Sequence, residues 1–308
     1  MQVFVSGSLA YDRIMNFPGK FADHILPEKI HVLNVCFTVD GLQEKFGGTA
    51  GNIAYSLALL EERPIILASA GRDFGVYKEW LERRELPLTG IKVVDDEFTA
   101  GAYITTDQSD NQITGFNPGA MKYASGYDFN GVDPAAALAI ISPGNLDDML
   151  GYSRTYKEKG IPYIFDPGQQ IPIIPADCLR EMLEGSAVLI SNDYELELIC
   201  KASGWSRDSI QERTGAVITT LGENGSLVRE NGCETAVDVV PARRVMDPTG
   251  AGDAFRSGLL KGLVMQKDLV GAARMGSASA SFAVESYGTQ EHCYTLDEFW
   301  DRYRQTFG

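Results

Sequence analysis

The stretch 247-DPTGAGDAF-255 sets two carboxylates, Asp247 and Asp253, around a run of three small residues, Gly250, Ala251 and Gly252. Pro248 cannot continue a strand ladder, and the two glycines permit tight backbone angles. From Ala251 the pattern AGDAFRSGLLKGLVMQ is helical, so a bare turn feeds a helix N-terminus. Backbone N–H groups are unpaired there, and the helix dipole adds partial positive charge. With no bulky side chain in the way, an anion such as phosphate can reach those amides. Asp253 falls in the first helical turn. A carboxylate at that place either caps the helix or accepts the proton of a hydroxyl that attacks phosphorus. The residues leave both readings open. The turn is not a Walker A loop, because GxxxxGK[ST] does not occur, and it is not GxGxxG, because position 255 is Phe.

An anion site built from amides answers a question posed by composition. The 308 residues carry a net charge of −15 and no Lys/Arg-rich run, which argues against a nucleic-acid partner. Five cysteines, at 36, 178, 200, 233 and 293, are odd in number and show no CxxC spacing. A reduced cytoplasm fits them better than a disulfide framework. The opening MQVFVSGSLAYD reads as a first strand rather than a signal peptide, and no apolar run approaches the ~18 residues of a membrane helix. Three histidines, at 24, 31 and 292, lack HExxH spacing, and SGSLAYD has one glycine where a dinucleotide fold needs several. Metal hydrolases and dehydrogenases are thereby disfavoured.

The elements that must carry the turn follow from periodicity. QVFVSG, PIILASA, IKVV, AALAIIS, PYIFD, SAVLISN and GAVITTLG read as short strands. Between them NIAYSLALLEE, residues 75–84, LDDMLGYSRTYKEKG and DYELELICKA read as helices. That alternation predicts a mainly parallel sheet covered on both faces, with ligands beyond the carboxyl ends of the strands. Two segments break it. Residues 13–46 hold β-prone pieces such as VLNVCFTVD, and FTAGAYITTDQSDNQITGFN (98–117) reads as a hairpin turning at Gln108–Asn111. They are expected to leave the main sheet and form a small β-lid. Residues 252–285 read as helical and rich in small residues, suited to close packing.

DPTGAGDAF resembles the C-terminal signature of the ribokinase/PfkB carbohydrate kinases. About 200 residues upstream, 47-GGTAGNIAYSLALL-60 resembles that family's N-terminal signature. Between the two, 192-NDYE-195 resembles its Asn-x-x-Glu element and 219-TTLGENGSLV-228 its nucleotide-site strand and turn. The resemblance covers essentially the whole chain. It implies a single ribokinase-like domain, three-layer α/β/α with a β-sheet lid, using ATP and Mg²⁺. In it Asp253 is the general base, and Gly250, Ala251 and Gly252 supply the anion-hole amides. Asp12, Gly48 and Asn52 hold the acceptor; the alternative for Asn52 is a helix-terminal residue satisfying local amides. Asn192, Thr220, Gly222 and Gly225 line the ATP site. Glu195 organises Mg²⁺ through water, or else takes part in a capping interaction. Asp247 either helps bind a monovalent cation such as K⁺ or caps its own turn.

For the acceptor, 116-FNPGAM-121, 166-DPGQQIP-172 and Arg256 resemble the adenosine and nucleoside kinase branch. The expectation is a kinase phosphorylating the primary hydroxyl of a nucleoside's ribose, with adenosine the first choice, the base stacking on an aromatic ring such as Tyr103 or Phe116. Arg256 either meets a substrate phosphate or pairs with an acidic neighbour. The alternatives are a ribokinase- or fructokinase-type sugar kinase and a catalytically silent ligand sensor. A lid also offers a face on which two copies can pair as a homodimer.

Overall fold

The computed structural model describes residues 1–308. The first half of the chain contains strands β1 (Gln2–Ser6), β2 (Ala10–Asn16), β3 (Asp40–Gly47), β4 (Ile65–Gly71), β5 (Ile91–Val94), β6 (Ala100–Thr106), β7 (Gln112–Asn117) and β8 (Ala137–Ile141). Helices α1 (Thr49–Leu59), α2 (Gly75–Glu82) and α3 (Leu146–Lys159) belong to the same half. The second half adds β9 (Tyr163–Phe165), α4 (Ala176–Leu183), β10 (Val188–Asn192), α5 (Asp193–Ser203), α6 (Arg207–Gln211), β11 (Ala216–Thr220), β12 (Ser226–Glu230) and β13 (Cys233–Val237). Three helices close the chain: α7 (Ala251–Val264), α8 (Leu269–Ala283) and α9 (Leu296–Phe307).

Nine strands form one sheet in the order β13-β12-β11-β10-β9-β8-β1-β4-β5. It is parallel from β5 through β11; only the β11–β12 and β12–β13 pairings are antiparallel. Both faces are buried, as the short continuous apolar runs require. Along β1, Val3 and Val5 point into a core with Ile53 of α1, Leu81 of α2, Leu259 of α7 and Ala272 of α8. Phe4 points into the opposite core, with Met149 of α3, Leu179 of α4 and Ile199 of α5. That is a three-layer α/β/α arrangement, and the chain reversal between β1 and β8 opens the crevice where ligands are expected.

The second sheet has four strands, β3-β2-β6-β7. The predicted hairpin is β6–β7, and its turn is held by Asp107, which accepts the N–H groups of Ser109 at 2.8 Å and Asn111 at 2.9 Å. VLNVCFTVD departs from expectation: only its last residue, Asp40, enters a strand. Its β-branched composition finds no neighbouring strand to pair with. The loop is held instead by an aromatic cluster, with Phe37 centred 4.8 Å from Phe17 and 5.0 Å from Phe21. The small-residue stretch 252–285 divides into α7 and α8. Gln266 adopts a left-handed φ of 58°, and Asp268 caps α8 by accepting the Gly271 N–H at 2.7 Å. Gly262 then lies so close that a side chain on it would meet the Ala272 Cα at 2.5 Å. No helix is long and apolar enough to cross a membrane.

Candidate active site

The DPTGAGD turn leads into α7 as read from the sequence. Gly250 stands at the helix N-cap with φ 81°, a left-handed angle that an L side chain resists. Space is tight as well, since a Cβ there would lie 3.1 Å from Thr289 Cγ2, which would have to give way. The N–H groups of Gly250, Gly252 and Asp253 have no acceptor in the protein. Ala251 differs from its expected role, because its N–H donates to Pro248 O at 3.2 Å, closing the turn. The amides left open to an anion are therefore those of Gly250, Gly252 and Asp253.

Asp253 Oδ2 accepts a hydrogen bond from Asn52 Nδ2 at 2.8 Å, while Oδ1 has no protein partner and is left for a proton. Burial raises its pKa to about 6, and Asp166 and Glu195 add to that against the pull of Arg256 and Asn52. A carboxylate with that value is ionised at neutral pH yet takes a proton readily. Its side chain makes no helix-capping hydrogen bond, which disfavours the purely capping reading.

The residues expected to hold the acceptor are Asp12, Gly48 and Asn52. Asp12, expected after the first strand, lies inside β2, paired with Lys45 of β3 and Ala102 of β6. Its carboxylate covers Gly47, where a Cβ would fall 2.6 Å from Oδ2. Burial raises its pKa. Gly48 turns with φ 88° into α1. Asn52 is buried three residues into that helix and caps nothing. Its amide is consumed between Asp253 and Gln290, whose Nε2 donates to Asn52 Oδ1 at 3.0 Å. The structure thus gives Asn52 contacts to Asp253 and Gln290 rather than to local amides.

Directly paired residues share a sheet face, so register separates the two lid aromatics. Asp12 pairs Ala102, and Ala102 pairs Phe116, so Phe116 shares the Asp12 face. Tyr103 pairs Arg13 and belongs to the other face, where its hydroxyl accepts from Arg13 Nη1 at 3.1 Å. Arg256 is buried on α7 in a two-pronged pair with Asp166, Nη2 to Oδ1 at 2.7 Å, and its Nη1 donates to Gly252 O at 2.9 Å. Pairing with an acidic neighbour is the outcome, and these three bonds use three of the five guanidinium N–H groups.

Asn192 and Glu195 form a reciprocal capping box. Asn192 Oδ1 accepts the Glu195 N–H at 2.7 Å, and Glu195 Oε2 accepts the Asn192 N–H at 2.9 Å. Glu195 Oε1 has no protein partner, and the Glu195 charge is felt at both Asp253 and Arg256. Asp247 Oδ1 accepts the Thr249 N–H at 2.9 Å and Oδ2 the Gly288 N–H at 3.0 Å. Burial pushes its pKa up, but these bonds and Lys45 outweigh that and hold it below the usual value. Asp247 is therefore a turn cap. Beside the turn a cavity of ≈ 460 Å³ is lined by Thr220, Gly222 and Gly225 as expected, but not by Asn192. Its walls include Val239, Val245, Ala280 and Val284, which no motif announced. An apolar slot ending at an anion turn suits a flat ring attached to phosphates.

Such an arrangement defines an enzyme that moves a phosphoryl group to an alcohol. The sequence model of the pfkB family carbohydrate kinases matches residues 13–295, and the chain belongs to that family. A nucleoside kinase of Methanocaldococcus jannaschii is 30% identical over 277 residues, covering 89% of this chain and 91% of that protein. The structure of Burkholderia thailandensis nucleoside kinase in complex with inosine superposes with a TM-score of 0.86 at 37% identity, covering 99% of this chain and 98% of that one. Its complex with ADP-inosine gives 0.83 at 38% identity, covering 99% and 96%.

Proposed function

We propose that this chain is an ATP-dependent nucleoside kinase that phosphorylates the primary hydroxyl of the ribose. One observation carries the reading. Asp253 presents a free oxygen beside the unpaired N–H groups of Gly250 and Gly252, between the lid carboxylate Asp12 and the apolar slot. Asp12 accepts the ribose hydroxyls, two oxygens suiting a vicinal diol. Phe116, exposed on the same lid face, stacks on the base. The turn amides hold the migrating phosphoryl group while Asp253 Oδ1 takes the hydroxyl proton. Mg²⁺ fits at Glu195, whose unpartnered Oε1 can hold it through water, and it would neutralise charge on the transferring phosphates. Asp247 fits its turn, and we assign it no K⁺.

The reading treats residues 1–308 as one kinase domain with a lid from about 13–46 and 98–117 inserted. Five unpaired cysteines support a reducing, cytoplasmic setting. The exposed edge strand β7 offers a place for a second copy's lid, which sedimentation reads directly. Activity is tested by ADP release with Mg-ATP against adenosine, inosine, guanosine, cytidine, ribose, fructose and fructose 6-phosphate, with Asp253→Asn as the blank. Selective turnover of nucleosides is expected. Turnover of free sugars alone would replace the acceptor with a ribokinase-type one. No turnover with any acceptor would favour the ligand sensor.

A further inference from the structure

Gln290 belongs to no motif read from the sequence, yet it is 2% exposed and its amide makes three hydrogen bonds. Trp80 Nε1 donates to Gln290 Oε1 at 2.9 Å. Gln290 Nε2 donates to Asn52 Oδ1 at 3.0 Å and to the Tyr77 hydroxyl at 2.7 Å. That hydroxyl in turn donates to Gly47 O at 2.8 Å. Asn52 Nδ2 donates to Asp253 Oδ2 at 2.8 Å.

The direction of this chain is fixed by chemistry. An indole N–H can only donate. Gln290 must therefore turn its oxygen to Trp80 and its nitrogen to Asn52. Asn52 must then offer its oxygen to Gln290, which leaves its nitrogen for Asp253. Reversing Gln290 would set two donors face to face at Trp80 and force the Tyr77 hydroxyl to abandon Gly47 O. The indole itself is clamped, stacked 4.9 Å from Phe46 and 6.0 Å from Tyr55, with the Arg84 guanidinium over it at 3.3 Å.

From this geometry we infer that Trp80 and Gln290 are positioning residues for the base: they lock the Asn52 amide so that it always presents a donor to Asp253. The inference rests on Asp253 being the base. A locked donor favours the ionised carboxylate and frees Oδ1 toward the acceptor. The other charged groups facing Asp253 are Arg256 from its own helix, Asp166 beyond β9 and Glu195 at the start of α5. Tyr77 on α2 senses both Asp253 and Asp12. None of these side chains is itself substituted below, and Gln290→Met removes only the hydrogen bond that Tyr77 accepts from Gln290.

The test combines the pH dependence of kcat with a carbon-13 NMR titration of the Asp253 carboxyl, assigned by its loss in Asp253→Asn. The three test substitutions are charge-neutral. Asn52→Leu should raise the carboxyl midpoint by about one pH unit, the size of one hydrogen bond to a charged group. Gln290→Met and Trp80→Phe should raise it in the same direction by less, and shift the acid limb of kcat with it while the ATP KM stays put. In the Asn52→Leu background, Gln290→Met should add nothing, because its effect passes through Asn52. An unmoved midpoint in both Gln290→Met and Trp80→Phe overturns the inference. So does an undiminished Gln290→Met shift in the Asn52→Leu background. The titration needs no turnover. An inactive unmodified protein whose midpoint still responds would sink the kinase reading and leave the lock standing. An active protein with an unmoved midpoint would do the reverse.

Discussion

Asp253 carries two opposite demands. As the proposed base it must be charged to take a proton, yet burial raises its pKa to about 6 from 3.8. Turnover should therefore fall about tenfold for each pH unit below that midpoint, with the ionised fraction of the base. Asp253→Asn should lower kcat by at least ~10² while nucleotide binding, followed by calorimetry, is kept. Between the two pKa values the folded protein holds a proton that the unfolded chain has released. This group's contribution to stability is thus full below about 3.8 and lost as pH rises through about 6. The melting temperature of Asp253→Asn should accordingly gain on the unmodified protein between about pH 4 and about pH 7. Phe116 gives a second prediction. Phe116→Ala should raise the nucleoside KM by roughly tenfold or more, the loss of one base-stacking contact, and leave ATP alone. At this scale the sequence was readable where chemistry is local. The anion turn, Asp253 and the Gly-Gly pair stand in contiguous motifs. Gln290 was not readable, because its partners Asn52 and Trp80 lie 238 and 210 residues away and a single glutamine has no spacing to betray it.

Elements position the site through a few non-local ties. Arg256 joins α7 to the segment after β9 by its buried pair with Asp166. Arg256→Met would leave that carboxylate buried and unpaired, and should cost about 3–5 kcal/mol in urea unfolding. Gly250→Ala tests the turn itself. The left-handed backbone costs an added side chain about 1–2 kcal/mol, and Thr289 stands in its way. A shifted turn misplaces the amides, so kcat should drop by up to ~10²-fold, a larger effect than the stability loss explains. Strands with continuous apolar runs, such as ALAII and AVITT, declared themselves because both faces of the sheet are covered. VLNVCFTVD misled because strand formation needs a partner, and composition does not say whether one is adjacent. The division of 252–285 into two helices turned on one left-handed residue, Gln266, which helical periodicity does not register.

Taken whole, the molecule is one nine-stranded sheet with a second, four-stranded sheet beside its crevice. The smaller sheet has little core of its own: every residue of β7 is exposed, and β3 is exposed over its first five. An acceptor gripped by Asp12 and Phe116 should therefore order it. Saturating inosine should slow amide hydrogen exchange in β2, β3, β6 and β7 and leave β8 to β11 unchanged. Equal protection everywhere, or none in the lid, would contradict the proposed acceptor site. The lid was legible as two segments that break the strand–helix rhythm, but not its attachment. That runs through residues 287–290: Lys45 Nζ donates to Tyr287 O at 2.8 Å, Thr289 Oγ1 to Phe46 O at 3.0 Å, and Gly288 N–H to Asp247.

These fastenings have a consequence in time. A chain made from its N-terminus exposes α1 and the lid strands long before Asp253 exists, and Asp253 before Gln290. The short strap at 287–290 is the last thread through lid, turn and base together. A nascent chain halted just after α8 would already hold Asn52 against Asp253, but would lack Gln290, which fixes that amide, and the strap that joins the lid to the turn.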